Sequence, residues 1–157
     1  MSSGRKVIGI ISDTHGLLRD SALTVLKDSV LLIHAGDIGN PKIIEQLQRI
    51  APVAAVRGNM DKGVWAANLS RCELVEVSKE ILYVIHDINE IDLDPVAAGL
   101  TVVISGHSHL PSIIEKDGII FLNPGSAGPR RFNLPLTVGK LTMEDGKRIP
   151  EIIDLGD

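Results

Sequence analysis

The chain has 157 residues with 44% hydrophobic and only 3% aromatic side chains, which suits one ordinary domain with an aliphatic core. Sixteen basic against twenty acidic side chains give a net charge of -4, which disfavours a module that binds duplex nucleic acid through a broad basic surface. Its one cysteine, Cys72, excludes an intramolecular disulfide and is compatible with a reducing cytoplasm.

Neither a signal peptide nor a membrane span is indicated. The apolar run at 7–11 is shorter than the apolar region of a signal peptide, and Asp13 follows almost at once. The longest uncharged stretch, 95–106, is shorter than the ~18 residues that a spanning helix needs. We therefore predict a cytoplasmic protein in which residues 1–157 form a single domain.

The first half of the chain alternates strand and helix patterns. Apolar, β-branched runs at 6–12, 30–34 and 53–56 predict buried strands. Helical spacing of apolar residues over 20–27 predicts one helix, and Pro41 begins a second, at a position where its missing N–H costs nothing. This β-α-β-α-β order predicts right-handed crossovers and a parallel sheet.

The second half is richer in strands. Three apolar runs predict further strands: 74–77, 81–85 and 102–105. Two hairpins are predicted at 113–122 and 138–153, since each range contains an Asp-Gly pair between apolar runs. We expect two packed sheets with helices outside, while the order of strands within each sheet stays open.

Polar side chains that can bind metal follow five of the predicted strands. The segments are Ser12-Asp13-Thr14-His15-Gly16, Ala35-Gly36-Asp37, Arg57-Gly58-Asn59, His86-Asp87 and Gly106-His107-Ser108-His109. Loops at the carboxyl ends of strands in α/β sheets converge on one crevice. We therefore predict one site with seven metal ligands: Asp13, His15, Asp37, Asn59, His86, His107 and His109.

The chemistry of these donors favours two metal ions. Carboxylates, imidazoles and an amide oxygen are present without any thiolate, which disfavours a closed structural zinc site. Seven ligands are too many for one ion that must also bind substrate, so two ions sharing a carboxylate fit better. Asp13 and His15 lie two apart on a segment predicted to be extended, so both are expected to point to one side. His107 and His109 repeat that spacing.

Each motif taken alone has a simpler reading. An Asp-x-His pair is usually a helix cap with a surface histidine, Gly-Asp and Gly-Asn are common turns, and His86 could be a core histidine. The joint occurrence of the motifs, in order and each after a strand, is what indicates a metal site. His34, on the second strand, is predicted to pack behind the ligands rather than to bind metal.

The order D-x-H, GD, GN, H, GHxH resembles that of the calcineurin-like metallophosphoesterases and covers residues 7–126. Asn123-Pro124-Gly125-Ser126 resembles a late motif of the small, single-domain bacterial and archaeal phosphodiesterase subgroup, which is also similar to the retromer subunit of eukaryotes. The resemblance implies an α/β fold of two facing β-sheets flanked by helices, a four-layer αββα sandwich, and a metal-dependent phosphodiesterase activity.

The resemblance also implies roles for the ligands. The first metal would be held by Asp13, His15, Asp37 and His109, with Asp37 bridging to a second metal completed by Asn59, His86 and His107. Manganese is the expected metal, with iron, zinc or nickel as alternatives. A shared water whose pKa is lowered toward ~7 would attack phosphorus in line, and Asn59 would add a hydrogen bond to the phosphate.

Two positions depart from the family pattern. Met60 stands where many members have a histidine that assists the leaving group, and Asp87 stands where glycine is expected. Asp87 would narrow the pocket or add a carboxylate behind the ligands. Three arginines are predicted as further phosphate contacts, although surface solvation is the simpler reading of each: Arg57, Arg130 and Arg131.

The main rival to an enzyme is a non-catalytic, retromer-like scaffold or a metal-dependent binding protein. A metal-regulated switch with incidental hydrolysis is a third reading. Retention of every ligand position favours the enzyme, since a scaffold has no need of four histidines in one cleft. The expected partner is a small phosphodiester, whereas its identity, the oligomeric state and any general acid stay open.

Overall fold

A computed structural model describes residues 4–157, which form two five-stranded sheets and three short α-helices. The strands are β1 Lys6–Ile11, β2 Leu31–His34, β3 Val53–Ala55, β4 Cys72–Val77, β5 Glu80–Ile85, β6 Val102–Ile104, β7 Ser112–Lys116, β8 Ile119–Asn123, β9 Thr137–Glu144 and β10 Lys147–Asp154. The helices are α1 Asp20–Leu26, α2 Pro41–Gln48 and α3 Val64–Ala67, and a 3₁₀ helix spans Ile88–Glu90.

Each sheet contains three neighbouring parallel strands. The first sheet has the order β10-β9-β1-β2-β3, in which β1, β2 and β3 are parallel and β9 runs antiparallel to β1. The second has the order β4-β5-β6-β8-β7, in which β5, β6 and β8 are parallel. The expected α/β architecture of two facing sheets is confirmed, and this order places the loops after β1, β2, β3, β5 and β6 around one site.

The main core lies between the two sheets and is aliphatic. Both sheets contribute fully buried side chains to one cluster, among them Ile8, Ile10 and Ile33 from the first and Leu82, Val84 and Ile104 from the second. Burying each such side chain contributes roughly 1.5–3 kcal/mol. The β-branched runs therefore form a rigid double layer beneath the site.

Different kinds of structure cover the outer faces of the two sheets. Leu26 of α1 and Leu47 of α2 are fully buried in the cluster that contains Leu32 of β2. The second sheet is instead covered by the segment after β5, in which Leu100 is buried and Ile88 is half-buried against β5 and β6. The helical layer is thus well developed on the first sheet, and a 3₁₀ turn with a loop takes its place on the second.

The turns follow the predicted chemistry. In both predicted hairpins the Asp and Gly of the turn have positive φ, 55° and 78° in one, 52° and 77° in the other, as a type I′ turn requires. A third hairpin joins β4 to β5 through Ser78 and Lys79, which also have positive φ and carry no glycine to signal it.

Among residues 4–157, no helix is long and apolar enough to cross a membrane. Residues 1–3 of the predicted single domain lie outside the described range. Cys72 is exposed on β4 with a free thiol.

Candidate metal centre

The seven predicted ligands lie together at the carboxyl ends of strands from both sheets. Six of them form two groups in which the candidate ligand atoms all lie within 4.8 Å of one another. Group A consists of Asp13, His15 and His109, and group B consists of Asp37, His86 and His107. Asn59 adjoins group B.

Group A is centred on a buried carboxylate. Oδ1 of Asp13 lies 3.4 Å from Nε2 of His109 and 3.7 Å from Nε2 of His15. Its other oxygen, Oδ2, accepts hydrogen bonds from the Ser12 hydroxyl (2.6 Å) and the His107 backbone N–H (3.1 Å). Oδ1 is buried and has no hydrogen-bond partner among the described residues. A buried acceptor without a partner is costly, and a cation between Asp13 and the two imidazoles would satisfy it.

Group B is oriented by a hydrogen bond to the backbone. Nδ1 of His86 lies 2.7 Å from the carbonyl oxygen of Ala35. Since a carbonyl can only accept, Nδ1 carries a proton and donates it, and Nε2 faces the site as the potential ligand atom. Nε2 lies 3.2 Å from Oδ2 of Asp37 and 3.0 Å from Oδ1 of Asn59, which itself lies 3.2 Å from Nδ1 of His107.

Asp37 belongs to group B but also faces group A. Its Oδ2 is 3.2 Å from Nε2 of His86 in group B and 3.8 Å from Nε2 of His15 in group A. Its Oδ1 accepts the backbone N–H of Met60 at 2.8 Å, which fixes the carboxylate plane. This placement fits a carboxylate shared by two cations.

The two carboxylates of the site are held in the form that cations need. Burial raises the pKa of Asp13, but contacts with His109, His15 and Ser12 outweigh it and hold that pKa below its usual range. Burial likewise opposes ionisation of Asp37, whose pKa is lowered on balance by His86 and the Met60 N–H. Burial lowers the pKa of His86, and its carboxylate neighbours raise it above the ordinary value. Two carboxylates are therefore ionised at neutral pH.

The backbone at the ligands is not extended, so that part of the prediction was wrong. Positive φ angles occur at Asp13 (56°), His15 (46°), Asp37 (56°), His107 (72°) and His109 (64°). Left-handed backbone at a non-glycine residue costs of order 1–3 kcal/mol and persists only where surrounding contacts impose it. The side chains converge because of tight left-handed turns rather than because of strand alternation.

His34 holds the turns of the two groups together without facing the site. It is fully buried on β2. Its Nδ1 accepts the N–H of Gly36 (3.1 Å), and its Nε2 lies 3.0 Å from the hydroxyl of Thr14, which donates to the carbonyl of Ile38 (2.7 Å). The hydroxyl proton is thereby used, so Nε2–H is the donor to Thr14 and His34 is neutral. Burial lowers the pKa of His34 to about 4, against a partial opposing effect of nearby carboxylates. These contacts fit the predicted role behind the ligands.

Asp61 is a second residue that holds the turns of the site in place, a role that was not predicted from the sequence. Its buried carboxylate accepts three backbone N–H groups: Ile38 (3.1 Å) and Gly39 (3.0 Å) from the Asp37 turn, and Gly58 (3.0 Å) from the Asn59 turn. Both oxygens are thus occupied. The only sequence signal was its place two residues after Asn59.

Asn123 and Ser126, the first and last residues of the Asn-Pro-Gly-Ser motif, hold the backbone of the site in place. Asn123 donates from Nδ2 to the carbonyl of Gly106 (3.0 Å) and the hydroxyl of Ser108 (3.1 Å), which ties β8 to the His107–His109 turn. Ser126 donates to the carbonyl of Asp13 at 3.1 Å. The motif therefore holds the backbone at Asp13 and the turn that carries His107 and His109.

Two glycines are required by close packing at the site. A Cβ on Gly58 would lie 2.2 Å from both N and Oδ1 of Asp37, and one on Gly106 would lie 2.0 Å from Oγ of Ser12. No side chain fits at either position without displacing a ligand turn.

A cavity of about 300 Å³ opens beside group B. Some of the remaining predicted residues line it and others do not. Arg57 and Asp87 line it, and Oδ2 of Asp87 lies 3.7 Å from Nε2 of His107. The guanidinium of Arg130 instead donates to the carbonyls of Leu134 and Asp157. Neither Arg130 nor Arg131 is among the residues that line the cavity. Met60 contributes its N–H to Asp37 while its side chain is 57% exposed.

Comparison with known proteins yields matches along most of the chain. The calcineurin-like phosphoesterase superfamily domain matches residues 7–146. A probable metallophosphoesterase from Methanothermobacter thermautotrophicus is 33% identical over 162 residues, which cover 96% of this chain and 93% of the relative.

Solved structures share the fold at lower identity. A structure described as a novel archaeal phosphodiesterase has a TM-score of 0.78 at 23% identity, covering 94% of this chain and 99% of its own. Wild-type Vps29 from Entamoeba histolytica, complexed with zinc, has a TM-score of 0.71 at 21% identity, covering 95% and 99%.

Proposed function

The chain belongs to the calcineurin-like phosphoesterase superfamily, and from that premise we propose that it is a phosphodiesterase that uses two divalent metal ions. The observation that carries the proposal is the position of Oδ2 of Asp37, which lies near His86 of its own group B and near His15 of group A. The unpartnered Oδ1 of Asp13, buried in group A, supports a cation there independently.

Bound divalent ions would supply Lewis acidity to the phosphoryl oxygens and acidify a water molecule between them. The residues of the chain prepare this chemistry. Asp37 fixes the separation of the two groups, because its carboxylate plane is held by the Met60 N–H. Asn59 directs Oδ1 toward His86 and His107. Among residues 4–157 its amide N–H₂ has no acceptor, so it can donate to a phosphate oxygen. His86 presents Nε2 as a ligand because Nδ1 is committed to Ala35.

Charge favours an anionic substrate. The two ionised carboxylates offset only part of the charge of two divalent ions, so the loaded site would be positive inside a protein of net charge -4. A small phosphodiester is the substrate class proposed, and duplex nucleic acid is not expected. The nitrogen and oxygen donors suit manganese, iron, zinc or nickel, of which we propose manganese. We also propose a single domain over 1–157 and a cytoplasmic location.

The rival reading is a scaffold of the same fold. Since one Vps29 structure contains zinc, metal binding alone does not separate the two readings, and turnover must be measured. We would follow hydrolysis of bis(p-nitrophenyl) phosphate by the manganese-loaded protein. His86→Gln would test group B. Glu45→Gln, at an exposed position on α2 outside the site, would serve as the control.

If the protein is an enzyme, the rate of hydrolysis should saturate with substrate. That rate should fall at least ~100-fold in His86→Gln and be unchanged in Glu45→Gln. A trace rate that rises linearly with substrate and is equal in all three proteins would favour the scaffold.

A further inference from the structure

The wall of the cavity beside group B contains both candidate ligands and other charged side chains. Its lining residues are Arg57, Gly58, Asn59, Asp61, Lys62, Arg71, His86, Asp87, Glu90 and His107. Its volume of about 300 Å³ is at the lower end of small-molecule sites. The cavity can therefore hold a compact group attached to a phosphate at the metal centre.

The three carboxylates of this wall already have partners. Asp61 accepts three backbone N–H groups. Glu90 accepts from the guanidinium of Arg71 at 2.6 Å. Asp87 accepts the N–H of Asn89 at 3.0 Å and lies near His107. The negative charges that line the cavity are thus neutralised or hydrogen-bonded within the fold.

Two cationic side chains of the same wall, unlike these carboxylates, have no partner among the described residues. Within residues 4–157, the side chains of Arg57 and Lys62 make neither a hydrogen bond nor an ion pair. Arg57 is half-buried, and its backbone is fixed because its N–H donates to the carbonyl of Ser70 at 2.8 Å. It immediately precedes Gly58 and Asn59, so an unpaired guanidinium is held beside the ligand Asn59. Lys62 is exposed at the same wall.

We propose that this cavity is a subsite for a second anionic group of the substrate, bound by Arg57 with support from Lys62. The assignment rests on the proposed phosphodiesterase function and narrows its substrate class to diesters that carry an additional phosphate or carboxylate. A guanidinium offers a planar pair of donors that matches the oxygens of such a group. The scissile phosphate binds at groups A and B, and the second anion binds at Arg57.

A matched pair of substrates tests the subsite. TpT contains one phosphodiester, and pTpT adds a terminal 5′-phosphate without changing that diester. We would measure kcat/KM for both in wild type, in Arg57→Met and in Arg49→Met. Arg49 is exposed beyond the last residue of α2, lies outside the cavity lining and loses the same charge when substituted.

The subsite predicts that wild type prefers pTpT over TpT by roughly 10-fold, a conservative value for one charge-assisted hydrogen-bonded group. Arg57→Met should reduce this ratio to near one, because kcat/KM for pTpT should fall about 10-fold more than kcat/KM for TpT. Arg49→Met should keep the preference. A ratio near one in wild type, or an undiminished ratio in Arg57→Met, would overturn the proposal.

A binding measurement separates this proposal from the function on which it rests. Calorimetry would compare thymidine 3′,5′-bisphosphate with thymidine 5′-monophosphate on the manganese-loaded protein. The bisphosphate should bind roughly 10-fold more tightly to wild type, and Arg57→Met should abolish the difference. If neither dinucleotide is hydrolysed but this difference is found, the enzyme proposal fails and the subsite stands. Equal affinities in wild type would refute the subsite whatever the turnover.

Discussion

Groups A and B have the same kinds of donor but differ in how far the fold encloses them. In group A the side chains of Asp13, His15 and His109 are 0%, 16% and 5% exposed. In group B Asp37 and His86 are similarly buried, but His107 is 44% exposed and borders the cavity. Group A is therefore built as a fixed interior site, and group B combines one buried half with an open half that a substrate can reach.

The difference follows from the surroundings of each turn. Ser12, the His107 N–H and Ser126 all hold Asp13 in place. Among residues 4–157, the ring nitrogens of His107 have hydrogen-bond or ion-pair contacts only with Asn59 and the more distant Asp87. The proposed two-metal phosphodiesterase would use both properties, since a buried group would hold one ion in a fixed position and an open group would let substrate oxygens approach the other.

The largest effect is expected where the two groups meet. Asp37→Asn removes the charge shared by His15 and His86, so it should lose at least one metal ion and lower kcat/KM roughly 10³-fold or more. Elemental analysis and diester hydrolysis would measure both. Asp87→Asn makes the same chemical change beside group B alone and should cost much less. Equal losses in the two variants would mean that Asp37 does not lie between the ions.

A second test removes the clamp that joins the Asp37 and Asn59 turns. Asp61→Ala leaves the N–H groups of Ile38, Gly39 and Gly58 without an acceptor, which should lower the free energy of unfolding by about 3 kcal/mol. Manganese affinity should fall ~10–100-fold, as for other groups that orient ligands. Asp61→Asn keeps one acceptor oxygen and should recover part of both losses. Unchanged metal affinity in a folded Asp61→Ala protein would show that Asp61 does not position the ligands.

A third test concerns pH and the buried His34. Its folded pKa is lowered from 6.5 to about 4, so between these values the unfolded chain binds a proton that the folded chain does not. The stability due to neutral His34 is complete above pH ~6.5 and decreases as pH falls toward 4. This predicts a loss of about 2 kcal/mol between pH 7 and pH 5 from this group.

His34→Gln removes the titrating ring while keeping an N–H that can donate to Thr14. Urea unfolding of the chelator-treated proteins at both pH values would measure the difference. The variant should be less stable than wild type at pH 7 and lose less stability on acidification. Parallel pH profiles would show that His34 is not held neutral by burial.

The smallest effect is expected at Met60, whose exposed side chain offers no acid to a departing oxygen. Rates should fall steeply as the pKa of the leaving group rises across a series of aryl diesters. Met60→His should help poor leaving groups by up to about 10-fold, below the usual 10²–10⁴ of an optimised acid. A shallow slope in wild type would indicate another acid. Asp87 is then the first suspect, because the oxygens of Asp61 are occupied.

The strands, and the polar side chains that converge at their ends, could be predicted because both leave strong local signals. Apolar runs gave β1, β2 and β6 to within one residue of their bounds. α3 and the 3₁₀ helix, with four and three residues, are too short to show a helical period. The order of the sheets was open because the pairing of β9 with β1 joins segments that are distant in sequence.

The internal geometry of the site left weaker signals. The left-handed backbone of Asp13 and His15 could not be read from spacing, because an Asp-x-His pair is equally compatible with an extended segment. Asp61 resembles an ordinary loop aspartate, and its role depends on N–H groups from a turn more than twenty residues away. The sequence thus predicted which side chains converge at the site, whereas the role of Asp61 in holding their turns in place left no signal that could be read from it.

The central claim is that groups A and B each hold one ion and act together. Metal-stripped protein would be titrated with manganese while bound metal and hydrolysis of bis(p-nitrophenyl) phosphate are followed in parallel. Two equivalents of manganese should bind per chain, and activity should appear mainly as the second equivalent binds. Full activity after one equivalent, or undiminished activity in protein shown by elemental analysis to contain no metal, would contradict it.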